Sequence, residues 1–206
     1  ISPERLLDEF KKLIRSEGFF KLTKDKFCFE IINLIFPQFK NIGIFKKLND
    51  YAKQNNHKLD FIVLISLMII DGTDNVKYFL YKFNLSKNHQ KRILFLNDFF
   101  SKTITKKSFL KQNLSRILYL NGKQSLMDLI YFEIFRSKKV DKKLLELIEF
   151  FKDRKPPIFP IKAKDLMEQY KIPEGKQLGW NMKKIEEKWI ENNSKISDEE
   201  IKKLII

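Results

Sequence analysis

Residues 59–70 read LDFIVLISLMII. Beyond Asp60 the run carries no charge, yet it is too short for a bilayer, which takes about 20 apolar residues in a helix. It reads as a helix buried in a core. The rest of the chain keeps the same character: only 6 of 206 residues are glycine, and the strong hydrophobic periods are helical rather than alternating. The expected fold is all-α, a multi-helix body followed by a small helical tail, with no significant sheet.

Upstream of that run, Ser2-Pro3 supplies an N-cap and a proline at the first helical position, and Leu6, Phe10, Leu13 and Ile14 form one apolar stripe. Helices are expected near 24–36, 42–54 and 58–70. Downstream, Asp71-Gly72-Thr73-Asp74 reads as a turn that stops one helix and caps the next. Ser86 is placed to cap a helix with His89, Ile93, Leu96 and Phe100 on one face, and further helices are expected near 106–119, 123–136 and 141–153. Pro156, Pro157 and Pro160 then interrupt the pattern, because proline lacks the N–H and constrains its predecessor. This divides the chain into a body (1–153), a stiff connector (154–160) and a tail (161–206). Tail helices are expected at 163–170, at 176–192 and from Ser197, where Ser197 and Glu200 have capping-box spacing.

The chain carries 41 Lys+Arg against 26 Asp+Glu, a formal net charge of +15. Such an excess favours a polyanionic partner, nucleic acid before an acidic membrane surface. Most of the positive charge is lysine, and Lys, Ile, Asn and Phe are all abundant, so part of the basicity follows A/T-rich codon usage. The lone Cys28 excludes an intrachain disulfide framework and a cysteine-based zinc site, and its apolar setting (FCFEII) predicts a small buried side chain. With no signal peptide visible, a cytoplasmic location and no membrane partner are expected. The opening Ile1 suggests a piece of something longer.

The catalytic inventory is thin. His57 and His89 have no Cys or His neighbours at ligand spacing and read as surface or half-buried imidazoles. Asp71 and Asp74 read as turn caps, and Glu186, Glu187, Glu199 and Glu200 as solvated helix faces. No catalytic residue, metal ligand or cofactor site is assigned within the chain.

Residues 171–189, KIPEGKQLGWNMKKIEEKW, are different. Leu178, Met182, Ile185 and Trp189 fall on one helical face, with Lys183 and Lys184 off it. Gly175 and Gly179 allow close backbone approach, and Lys176 adds charge where unpaired helix N–H groups favour an anion. Lys162 and Lys164 flank the start of the preceding helix, where Asp165 competes as a local acceptor. Two readings stand: an ordinary helix-turn-helix with a glycine cap, or a site for a nucleic-acid phosphate.

The stretch FPIKAKDLMEQYKIPEGKQLGWNMKKIEEKW resembles the C-terminal signature of bacterial class II tRNA nucleotidyltransferases, the CCA-adding enzymes related to poly(A) polymerases. Pro160, Lys164, Asp165, Leu166, Pro173, Gly175, Gly179 and Trp189 match it. Ala163 and Tyr170 replace expected glycines, and Lys176 stands where proline is common. ISPERLLDEFKKLI is similar to the family's neck-helix motif through Ser2, Glu4, Arg5, Glu9 and Lys12, a motif the family uses structurally. FNLSKNHQKRI (83–93) and SRILYLNGKQSLMDLIYFEI (115–134) are similar to body segments.

The resemblance implies a neck remainder, body and tail whose partner is tRNA. Lys162, Lys164, Lys176, Lys183 and Lys184, with Arg92 and Arg116 in the body, are then the expected RNA contacts. It also implies an N-terminal catalytic head, absent from these residues, carrying Mg2+ and CTP or ATP. A different reading is a basic all-helical protein-interaction or general RNA-binding module without enzymatic role, its 20 phenylalanines leaving an exposed apolar groove.

Overall fold

The computed structural model describes residues 2–16, 19–102 and 104–205. Among them the chain is all-α, with no strand. In order, the helices are α1 (Pro3–Arg15), α2 (Phe19–Lys24), α3 (Lys26–Ile35), α4 (Asp50–Asn55), α5 (Phe61–Ile69), α6 (Asn75–Lys82), α7 (Lys87–Phe100), α8 (Lys111–Arg136), α9 (Lys142–Lys152), α10 (Ala163–Tyr170), α11 (Lys176–Glu191) and α12 (Asp198–Leu204). Among the described residues, no helix is long and apolar enough to cross a membrane.

α5 is the centre of the body. All nine of its residues are buried, and it packs against α7 and α8. Asp60 starts it by accepting the Ile62 N–H at 2.8 Å. Beside it lies a phenylalanine lattice: Phe36 and Phe39 stack at 4.6 Å, and Phe10, Phe79 and Phe83 pack around that pair. Stacked and tilted ring contacts of this kind add about 0.5–1.5 kcal/mol each beyond area burial. α1 enters the core with Leu7, Phe10 and Ile14, while Ser2 caps it by accepting the Arg5 N–H at 3.3 Å.

Some helix boundaries differ from the sequence reading. The helix expected near 24–36 is α3, which Asp25 starts by accepting the Cys28 N–H at 2.8 Å, and the short α2 before it was not anticipated. The 42–54 segment is a 3-10 turn at Ile42–Lys46 followed by α4. Asn49 separates the two: its carbonyl oxygen caps Ala52 N–H, and its Nδ2 donates to the Ile134 and Ser137 carbonyls. That cross-chain anchor fixes the break. The two helices expected at 106–119 and 123–136 share one run from Lys111, interrupted at Gly122, whose φ of 80° is left-handed. Cys28 is half-buried rather than buried, because α3 turns Phe27 (71% exposed) and Leu34 (83%) to solvent. The adjacent Asp25 carboxylate holds its thiol above the ordinary cysteine range.

The tail has its own smaller core, built from Leu166, Ile172, Leu178, Ile185 and Ile201. Ser197 and Glu200 form the expected capping box. Trp189 joins the tail to the body: its ring meets Tyr119 of α8 at 5.0 Å and Phe159 of the connector at 5.4 Å, both edge-on. Tyr119 Oη also donates to Glu186. Burial, reinforced by that carboxylate, pushes the phenol up to about 12, so it stays a donor throughout the neutral range.

Candidate nucleic-acid interface

The turn between α10 and α11 is built by three backbone conformations. Lys171 ends α10 in the left-handed region (φ 53°), Ile172 drops into the tail core, and Gly175 precedes α11 at φ 146°. Gly175 brings no capping oxygen, and the first intrahelical bond of α11 runs from Gly179 N–H to Gly175 C=O at 3.3 Å. α10 begins otherwise. Asp165 Oδ2 accepts the Lys162 N–H at 2.9 Å, so a carboxylate already sits where an anion would bind. Of the two helix starts, α10 has a carboxylate on its N-cap backbone, whereas the N-cap Gly175 of α11 makes no side-chain cap bond at the positive end of the helix.

The two glycines have different roles. Gly175 needs its φ, whereas Gly179 lies inside α11 without a left-handed backbone, and a Cβ there would meet nothing within 4 Å. In an exposed helix glycine costs about 0.5–1 kcal/mol relative to alanine. Gly179→Ala is therefore expected to raise the urea midpoint of the tail by about that stability, while Gly175→Ala lowers it.

Lys176, Lys183 and Lys162 are exposed and meet no carboxylate among the described residues. Lys164 reaches Glu168 at 3.5 Å, a solvated pair of small energetic weight. Lys184 lies with Nζ 3.6 Å from the centre of the Trp180 ring. Trp180, 53% exposed, was not among the sequence-based candidates. Its position was legible in the helical phase: two residues from both Leu178 and Met182, it must face away from the tail core. Lys176, Trp180, Lys183 and Lys184 thus share one solvent stripe of α11.

The body candidates part company. Arg116 is exposed on the first half of α8. Arg92 is not an RNA contact: it is 6% exposed, its Nε and Nη2 donate to Asp128 at 2.6 and 2.8 Å, and Nη2 lies 2.9 Å from Asp60. Gln124 adds a further donor to Asp128 at 2.9 Å. Burial leaves the Asp128 carboxyl above its ordinary range although the guanidinium pulls the other way. This network ties α5, α7 and α8 together. The neck-type residues Glu4, Arg5 and Glu9 are exposed, and Glu9 meets Lys12 at 2.8 Å.

A second basic region was missed from sequence. Lys40, Lys46, Lys47, Arg136 and Lys138 line an open cleft of about 790 Å³ in the body. Its residues come from the 3-10 turn, the ends of α5 and α7, and the end of α8, so no short sequence window holds them. Among the described residues, no group of three or more His, Cys, Asp or Glu is arranged to hold a metal ion. No protein-family model matches the chain, and no curated protein is significantly similar to it.

Proposed function

We propose that this chain is the tRNA-holding part of a tRNA nucleotidyltransferase that adds CCA or A to RNA 3′ ends, with bond formation carried by a head domain outside these residues. The observation that carries the reading is the solvent stripe of α11. Three lysines and an exposed indole lie along one face of a helix whose N-cap glycine makes no side-chain cap bond, a combination suited to phosphates and to an unstacked base. Structured RNA is held largely through its shape, phosphates and 2′-hydroxyls, so lysines with few base-reading side chains suffice. The two sequence motifs at opposite ends of the chain add the enzyme family to that physical picture. On this reading Mg2+ and CTP or ATP belong to the head.

Trp180 supplies the test. Trp180→Ala removes a stacking plane worth about 1–3 kcal/mol per base without opening the tail core. Mobility-shift titration with a tRNA transcript is expected to show affinity reduced about tenfold. Unchanged affinity, with melting also unchanged, would remove the indole from the interface.

A protein-interaction module is the second reading, favoured by α3. Phe27, Ile31, Leu34 and Ile35 are all exposed and repeat at helical spacing, an apolar stripe suited to another protein surface. The stripe lies on α3 and the lysine-indole stripe on α11, so substitutions separate the two readings.

A further inference from the structure

We infer that the basic cleft of the body is a second binding site, for the phosphate oxyanions of a nucleotide. Lys40, Lys47 and Lys138 are exposed and meet no carboxylate among the described residues. Lys46 lies with Nζ 3.9 Å from the Phe29 ring centre. Arg136 is held by Glu133 through Nε at 2.7 Å and lies 4.5 Å over the Phe100 ring. The guanidinium is thus oriented by one donor while its terminal nitrogens bear no described bond. Behind these cations Phe100 and Phe132 pack at 4.3 Å and, with Leu67 and Ile70, give the cleft an apolar floor.

An ordinary structural role for the lysines would be to neutralise helix ends, because α5, α7 and α8 all finish at this cleft. The hydrogen bonds argue against it at α5. Its last carbonyls are already taken: Met68 C=O by Asn41 N–H at 2.9 Å, Ile69 C=O by Asn75 Nδ2 at 2.8 Å and Ile70 C=O by Asn41 Nδ2 at 2.5 Å. Asp71, the carboxylate in the cleft lining, accepts instead from the N–H and hydroxyl of Thr73. Counting Asp71, Glu133 and three helix ends at about half a negative charge each, the five cations leave a surplus of about one to two positive charges. Like charges converging on a concave surface raise the local potential and draw an anion.

The size and lining select among anions. The volume is within the range of about 300–1,000 Å³ typical of small-molecule sites, far more than one phosphate fills. A cationic rim over an aromatic and aliphatic floor suits a nucleotide, phosphates outward and ring inward. Two sources share this chemistry: a nucleotide of a bound RNA, or a free nucleoside triphosphate. The inference shares with the tRNA reading only the phosphate, and it concerns residues the α11 stripe does not include.

The test uses the double variant Lys47→Glu/Lys138→Glu, both positions being exposed, with the tail variant Lys176→Glu/Lys183→Glu as comparator. Binding is measured for a tRNA transcript, for ATP and for inorganic tripolyphosphate, alongside thermal melting. If RNA fills the cleft, the cleft variant loses about tenfold in tRNA affinity and a shallower salt dependence results, with ATP silent. If a free nucleotide fills it, ATP binds the parent chain and the cleft variant loses that binding about tenfold, while the tail variant keeps it. Equal tRNA, ATP and tripolyphosphate affinities for parent and cleft variant, at unchanged melting temperature, overturn the site. A loss of tRNA affinity in the tail variant alone would leave the tRNA reading standing and this one refuted. Binding of ATP at the cleft by a chain that ignores tRNA would do the reverse.

Discussion

Asp128→Ala is expected to destabilise the body by about 3–5 kcal/mol, the cost of leaving a buried charge without its partner. Arg92 is 6% exposed and Asp128 1%, so the change leaves the guanidinium largely out of bulk water without its main partner. Asp60 remains 2.9 Å from the guanidinium, but it is at the edge of the network and also caps α5. The double replacement Arg92→Leu/Asp128→Leu removes both charges and is expected to cost less than the single change, because apolar side chains of similar volume often substitute for a buried pair without loss. Urea melts followed by circular dichroism distinguish the cases. A single variant within about 1 kcal/mol of the parent would mean that the three-helix junction is held by packing alone.

The second large effect concerns binding. Reversing Lys176 and Lys183 to glutamate is expected to weaken tRNA affinity about a hundredfold at low salt and to reduce the slope of log affinity against log salt by about two. Both side chains are exposed and meet no described carboxylate, so the change leaves the tail core of Leu178 and Ile185 intact. Trp189 continues to hold the tail on α8 through Tyr119. The melting temperature should therefore stay near that of the parent. A fall in melting temperature together with affinity would assign these lysines to the fold instead.

How much of this was legible in the sequence depends on how far apart the deciding atoms lie. α1, α5, α9 and the three tail helices follow from local signals such as Ser2-Pro3, the apolar run from Phe61 and the Ser197–Glu200 box. The all-α class follows from the same periodicity. The break before α4 does not, because Asn49 is held by carbonyls 85 and 88 residues downstream. Arg92 failed as a candidate for the same reason: its carboxylate lies 36 residues away, and nothing in FNLSKNHQKRI marks it as buried. The body cleft gathers cations from positions 40–47 and 136–138, a juxtaposition only the packing of α5, α7 and α8 creates. Trp180 is the opposite case, since helical phase alone turned it outward.

Asn181 also escaped the sequence reading. It is fully buried in α11, and neither its Nδ2 nor its Oδ1 has a partner among the described residues. A tail core so small tolerates an unsatisfied amide only at a cost of about 1–3 kcal/mol per group.

The most direct measurement is a competition between a tRNA transcript and an unstructured RNA of equal length for the intact chain, repeated across a range of salt. A cradle for structured RNA predicts preferential retention of the tRNA at every ionic strength, with affinity falling linearly on logarithmic axes as salt rises. Equal retention of both RNAs, or binding of neither at low salt, would contradict it.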